Sequence, residues 1–166
     1  MEEFGEESGA FDLERFVAAQ APVYAQVRAE LGAGRKQTHW MWFIFPQLLG
    51  LGASSTARRY ALRSLDEARA YLRHPLLGPR LLECTRLVND AAGRTAQEIF
   101  GHPDDLKFRS CMTVFAEAAG PEQPIFRAAL RKYYGGEPDE RTLALLAAGE
   151  SGGRRAGDQG SEPRGL

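Results

Sequence analysis

An unbroken row of six large apolar residues, WMWFIF from Trp40 to Phe45, constrains this chain more than any other feature. The row is too short to span a bilayer, which takes about 20 apolar residues in a helix, so we expect it to be buried inside the protein. Thr38 can cap a helix at its start, and Pro46 ends or kinks one. We therefore predict a helix from His39 to Phe45 that is buried on every side. A buried β-strand is the alternative, because periodicity does not separate the two in a short apolar run.

The rest of the chain carries helix signals. Ser64 with Glu67, and Thr95 with Glu98, have the spacing of capping boxes, which open helices. A later run has the i, i+3, i+4 and i+7 spacing of one apolar helix face, with Phe108, Cys111, Met112 and Phe115. No alternating apolar and polar run lies between hairpin turn signals. These patterns predict an all-α fold, in a single compact multihelical domain over residues 11–147.

Composition narrows the classes of protein to which the chain can belong. Its 21 basic and 22 acidic side chains give a net charge of −1, so no global charge favours nucleic acid or an anionic membrane. Two cysteines, Cys84 and Cys111, are too few for a disulfide framework and lack metal-ligand spacing, so we predict neither a metal nor a cofactor. The acidic start has no apolar signal-peptide region, and we predict a cytoplasmic location. The polar, glycine-bearing ends, residues 1–10 and 148–166, are predicted to be disordered.

The first group of candidate site residues surrounds the aromatic row. Lys36, His39 and Gln47 bracket it, and polar groups at the margin of an aromatic cluster are typical of ligand pockets. Trp40 and Trp42 each carry an indole N–H that needs a partner when buried. The alternative is that the row is ordinary core and that His39 is a satisfied structural residue.

A second group, Asp104, Asp105, Lys107 and Ser110, opens a later helix. Asp104 and Lys107 are i, i+3 neighbours there, and Ser110 extends the same side. Two aspartates in a first turn also complement the helix dipole without any further function. Because both groups adjoin strongly aromatic segments, we expect them to converge on one cavity.

Several segments resemble the DUF1810 family, a domain of unknown function. The resemblance covers Phe11 to Leu146 and is carried by RFVAAQ, GRKQTHWMWFIFPQLLGLG, SLDEARAYLRHPLLGPRLLEC, IFG and DDLKFRSCMTVF. It implies a small, mainly α-helical protein, with Cys111 where the family pattern has a second serine. A more distant similarity is to the NADAR (YbiA-like) group, which acts on N-glycosidic bonds of ADP-ribose or related compounds. That group's Glu-His pair is absent, since Thr38 precedes His39.

Two hypotheses for function follow. In the first, the protein binds a small polar ligand, nucleotide-like or ADP-ribose-like, and hydrolyses an N-glycosidic bond. Lys36 would then neutralise phosphate, Trp40 or Trp42 would stack on a ring, and His39 or Asp104 would handle a proton. In the second, the chain is a non-enzymatic protein interaction module. A cleft that joins the two polar groups favours the first hypothesis, and a flat surface with an exposed apolar patch favours the second.

Overall fold

Helices make up the regular structure of the protein, for which the computed structural model describes residues 11–149. In chain order the helices are α1 (Glu14–Gln20), α2 (Tyr24–Gly32), α3 (Met41–Ile44), α4 (Ser55–Arg59), α5 (Leu65–Arg73), α6 (Leu77–Asp90), α7 (Ala96–Phe100), α8 (Asp104–Ala119) and α9 (Ile125–Tyr134). A 3₁₀ turn, Gly120–Glu122, follows α8, and residues 140–149 are helical and form α10. Within residues 11–149 no β-strand forms, and Leu48 and Leu62 make an isolated parallel bridge. The all-α prediction is confirmed.

The ends of the chain were predicted to be disordered. Residues 1–10 and 150–166 lie outside the described part, while residues 148 and 149 belong to α10. None of the helices between residues 11 and 149 has the length and apolar composition that crossing a membrane requires.

Both predicted capping boxes lie at helix starts. The Ser64 Oγ accepts a hydrogen bond from the Glu67 N–H at 3.1 Å, which opens α5. At α7 the box is complete, because Thr95 accepts from the Glu98 N–H and the Glu98 carboxylate accepts from the Thr95 N–H. Each cap satisfies backbone donors that a helix start leaves without an intrahelical partner.

Helix α8 lies at the centre of the packing. It contacts α5, α7 and α9, while α6 contacts α2, α5 and α9. Its predicted apolar face is buried, and Phe108, Cys111, Met112 and Phe115 are each 0% exposed. The same helix begins at Asp104, a candidate site residue, so one helix joins the core to the candidate site.

The aromatic row forms a shorter helix than predicted. Helix α3 covers only Met41–Ile44, and Thr38 does not cap it, because the Thr38 hydroxyl donates to Glu30 instead. Phe45 leaves the helical region at φ −125° and ψ 73°, as expected before a proline, whose ring disfavours helical backbone in the preceding residue.

Burial of the row on every side was also wrong. Trp40, Met41, Ile44 and Phe45 are buried, but Trp42 and Phe43 are only half-buried. The reason is that α3 is a single turn between two loops, with packed neighbours on part of its circumference. Phe43 lies against Tyr60, with 5.4 Å between ring centroids.

A buried ion pair ties α1 to the start of α5. An Arg15 guanidinium nitrogen lies 3.0 Å from a Glu67 carboxylate oxygen, with side chains 8% and 0% exposed. The other Arg15 donors bind the carbonyl oxygens of Arg59 and Ala61, at 2.7 and 2.8 Å. The guanidinium therefore anchors the connection between α4 and α5 to the N-terminal helix.

Two substitutions, one inside the row at Phe45 and one just before it at His39, test this packing. Phe45 is 0% exposed and meets Phe108 and Phe100 edge to face, at 5.0 and 5.8 Å between centroids. Phe45→Ala should therefore lower the free energy of unfolding by about 3–5 kcal/mol. His39 is exposed, so His39→Ala should change it by less than about 0.5 kcal/mol. Denaturant unfolding of both variants measures the difference, and a comparable loss in each would show that His39 is a packing residue.

Candidate functional site

A buried carboxylate organises the loop between α2 and α3, which carries the first group of candidate residues. Glu30 is 4% exposed and accepts five hydrogen bonds. Three come from the loop backbone and hydroxyl, namely the Gln37 N–H at 2.7 Å, the Thr38 N–H at 3.1 Å and the Thr38 Oγ1 at 2.7 Å. The others come from the Trp40 Nε1 at 2.8 Å and the Gln26 Nε2 at 2.9 Å. Glu30 thus holds both the loop and the buried indole.

The ionised form of Glu30 is strongly favoured. Burial alone raises the pKa of this carboxyl, but hydrogen bonds from Gln37, Thr38 and Gln26 outweigh burial and lower the pKa to about 2. All five donors belong to neutral groups, so hydrogen bonding rather than a cation stabilises the charge.

Lys36 extends from this loop to the first turn of α8. Its backbone N–H donates to the Ile99 carbonyl at 2.7 Å, which fixes the loop to α7. Its Nζ lies 3.0 Å from one Asp104 oxygen, and the Lys107 Nζ lies 3.3 Å from the other. Two lysines therefore share one carboxylate, and the i, i+3 pair predicted on α8 is present.

Two tryptophans flank these charges. The Lys36 Nζ lies 5.2 Å from the Trp40 ring centroid, and the Lys107 Nζ lies 5.4 Å from that of Trp42, both within cation–π range. The name Lys–Asp–Lys cluster is used below for Lys36, Asp104 and Lys107 together with Trp40 and Trp42. Trp40 is 1% exposed and the side chains of Lys36, Asp104 and Lys107 are 9%, 18% and 28% exposed. Exposure thus rises from the Trp40 end of the cluster toward the half-buried Trp42.

The remaining candidate residues have other surroundings. His39 is exposed, and no hydrogen bond or ion pair joins it to another residue between 11 and 149. The Asp105 carboxylate lies 3.0 Å from the Nδ1 of His102. The buried Ser110 hydroxyl donates to the Leu106 carbonyl, one turn earlier in α8. The structure brings Lys36 together with Asp104 and Lys107, and leaves these three side chains out of that contact.

One small cavity joins parts of the two groups, but Lys36, His39, Asp104 and Ser110 do not line it as predicted. Gln47, Trp42 and Lys107 border a cavity of about 10 Å³, which is room for one water molecule. A larger cleft, of about 370 Å³, shares Leu48 with this cavity, but no candidate site residue lines it. The cluster is thus a shallow, partly exposed surface. Between residues 11 and 149, no group of three His, Cys, Asp or Glu residues is arranged to hold a metal ion.

Glu30 organises the candidate site, and the sequence did not reveal it. The need of a buried tryptophan N–H for a partner was a sound signal, but it did not identify which group would accept. Glu30 lies ten residues before Trp40 on a helix that carries other polar residues, and only the turn of the intervening loop brings the two together.

Replacing this carboxylate should loosen the loop without removing the core. Glu30→Gln keeps the size of the side chain but replaces one acceptor oxygen with an amide NH₂ that faces other donors, and should cost about 2–3 kcal/mol of unfolding free energy. Because the folded pKa is lower than the unfolded one, Glu30 contributes stability above about pH 4.5 that is lost as the pH falls toward 2. Denaturant unfolding as a function of pH checks this.

The matched control is Glu98→Gln, at the capping box of α7, which is exposed. Its effect should stay below about 1 kcal/mol. If Glu30→Gln loses stability at low pH as steeply as the parent protein does, the acid-dependent loss originates elsewhere.

Comparison with known proteins gives the family. A family model described as "Protein of unknown function (DUF1810)" matches residues 10–146. The crystal structure of the conserved hypothetical protein Rv1873 from Mycobacterium tuberculosis is 63% identical, with a TM-score of 0.82 over 83% of this chain and 98% of that chain. A search of curated proteins gives no significant match. None of these matches is to the NADAR group. The resemblance seen in the sequence is confirmed, and this chain belongs to the DUF1810 family.

Proposed function

We propose that the Lys–Asp–Lys cluster binds a small anionic ligand with a planar ring, of the nucleotide or ADP-ribose kind. The observation that carries the proposal is the sharing of Asp104 by Lys36 and Lys107, at 3.0 and 3.3 Å. One carboxylate neutralises only one ammonium group, so the cluster carries an excess positive charge. This charge lies beside the partly exposed ring of Trp42.

The position of the cluster strengthens the attraction for an anion. Asp104 and Lys107 lie in the first turn of α8, a helix of 16 residues. The start of a helix carries partial positive charge from its unpaired N–H groups. Asp105, the other carboxylate of that turn, lies 3.0 Å from the Nδ1 of His102, whose ring carries a charge only when it is protonated. A phosphate next to Lys107 would therefore meet the partial positive charge of the helix start and an ammonium group that shares its carboxylate with Lys36.

The two lysines differ in the part they would take. Lys36 is 9% exposed and lies between Asp104 and the buried Trp40 ring, so it positions the carboxylate. Lys107 is 28% exposed and lies over Trp42. We propose that Lys107 moves off the ring to contact phosphate, and that the ligand's ring takes its place against the indole. Gln47, which borders the same small cavity, would supply a polar contact to that ring.

Hydrolysis of an N-glycosidic bond is the catalytic extension of this proposal. It assigns proton handling to Asp104, which is in the cluster, and to His39, which is exposed and lies three residues after Lys36 in the same loop. Both side chains would have to reach one bond of the bound ligand. Asp105 and Ser110 would act indirectly, because the first is paired with His102 and the second bonds its own helix.

The interaction-module hypothesis requires an extended apolar surface. Among residues 11–149 the exposed large apolar side chains are Leu49, Leu106 and Leu145. Single exposed leucines are ordinary on protein surfaces, whereas an interaction patch is contiguous and larger. Leu49 and Leu145 line a cleft that no residue of the Lys–Asp–Lys cluster borders, and Leu106, in α8 beside Asp105, does not line that cleft. The charge arrangement therefore favours ligand binding over a protein interface at this site.

A thermal-shift screen with matched ligands tests the proposal. Adenosine monophosphate and ADP-ribose should raise Tm, because a ligand at 100 times its Kd stabilises the folded state by about 2.7 kcal/mol. Adenosine lacks the anion and ribose 5-phosphate lacks the planar ring, so each should raise Tm much less. Mass spectrometry of the same mixtures shows whether a glycosidic bond is cleaved.

Variants locate the binding. Lys107→Gln should raise the Kd for adenosine monophosphate by about tenfold. Trp42→Leu should reduce the difference in affinity between adenosine monophosphate and ribose 5-phosphate. Arg69→Ala, at an exposed surface pair with Asp66, should bind as the parent does. An equal response of Lys107→Gln and the parent, or no response to any anion, would reject the proposal.

A further inference from the structure

Five of the ten residues that line the 370 Å³ cleft are leucines, and none of the ten belongs to the Lys–Asp–Lys cluster. Leu48, Leu49 and Leu65 line one part of it, and Leu145 and Leu146 of α10 line another. Leu49 and Leu145 are 41% and 36% exposed, which makes them two of the three exposed large apolar side chains between residues 11 and 149. We call this site the leucine cleft. Two exposed leucines facing one concavity form an apolar surface that a ligand could remove from water.

Arg63 lies where the leucine cleft meets a second, polar cleft. The second cleft has a volume of about 300 Å³ and is lined by Asp12, Arg15, Arg59 and Arg63. Arg63 lines both clefts, so the two adjoin at its side chain. No ion pair or side-chain hydrogen bond with another described residue occupies its guanidinium. Arg15, in contrast, is fully engaged by Glu67 and by backbone carbonyls.

The charges around the two clefts favour an anion. Four arginines and two aspartates line them. Of these, Arg69 is paired with Asp66 at 3.1 Å, while the guanidinium of Arg59 lies over the Tyr60 ring. Arg63 is therefore the cation available at the apolar boundary. A guanidinium matches a carboxylate in shape, because it can donate two parallel hydrogen bonds.

From this arrangement we infer that the leucine cleft binds a small amphipathic anion, an acyl carboxylate, with its hydrocarbon chain against the leucines and its carboxylate on Arg63. The volume lies within the range of small-molecule sites, about 300–1,000 Å³. A site of this kind combines an apolar lining with few polar groups that fix the ligand's orientation. The inference does not depend on the function proposed for the Lys–Asp–Lys cluster.

The chain's own C-terminal residues are a poor match for the cleft. Gly149 lines it, so residues 150–166 continue from its edge. Those residues contain one large apolar side chain, Leu166, at the far end. They lack the apolar groups that would cover five leucines, whereas an acyl chain consists of such groups.

An NMR titration with octanoate tests the inference. It uses the full-length protein labelled with ¹³C at the leucine methyl groups. Octanoate should shift the Leu49 and Leu145 methyl signals saturably, and acetate at the same concentration should not. Arg63→Gln should raise the Kd for octanoate by about fivefold, the scale of an exposed ion pair, and leave the Kd for octan-1-ol unchanged. Leu145→Ser should raise the Kd for both ligands by about fivefold or more. Arg86→Gln, at an exposed arginine of α6, is the charge-matched control and should bind as the parent does.

Several results would overturn the inference. Equal shifts with acetate would mean that charge alone drives binding, and unchanged octanoate affinity in Arg63→Gln would remove the anion contact. A short leucine- and aspartate-containing peptide that displaces octanoate at lower concentration would make the occupant a protein segment. Octanoate binding that appears only after deletion of residues 150–166 would make the C-terminal residues the occupant.

Discussion

The hydrogen bonds to the Glu30 carboxylate are the constraint on which the candidate site depends. The loop after α2 has no regular secondary structure, and its backbone N–H groups need acceptors. One oxygen of Glu30, Oε1, accepts two of them and also the Trp40 indole N–H. The Lys36 N–H is held separately by Ile99. These bonds hold the short segment at both ends, and from it the Lys36 side chain reaches Asp104.

Helix α8 connects this loop to the core. Asp104 and Lys107 lie in its first turn, while Phe108, Met112 and Phe115, further along, are completely buried. Asp104 and Lys107 therefore lie on a helix that cannot shift without disturbing these buried core contacts. The half-buried Trp42 and Lys107 have more room, because α3 is a single turn. The site we propose for a ligand thus combines a carboxylate on a packed helix with a partly exposed lysine beside a half-buried ring.

Local chemistry made part of this structure predictable. The Ser64 and Thr95 caps, the buried face of α8 and the contact of Asp104 with Lys107 all involve residues within a few positions of one another. What the sequence left open depends on residues that only the tertiary structure brings together. The acceptor for Trp40, the contact of the Thr38 hydroxyl with Glu30 and the meeting of Leu49 with Leu145 in one cleft are of this kind. Periodicity contains no information about such contacts.

The two indole N–H groups give the most direct test of this account. The Trp40 Nε1 is buried and donates to Glu30 at 2.8 Å, whereas the half-buried Trp42 indole has no acceptor among residues 11–149. Hydrogen exchange of the two indole signals, followed by NMR, measures this difference. Trp40 should exchange only through large unfolding events, with protection close to that of core amides in α8. Trp42 should exchange orders of magnitude faster. Similar rates for the two indoles, or rapid exchange at Trp40, would contradict the central role of Glu30.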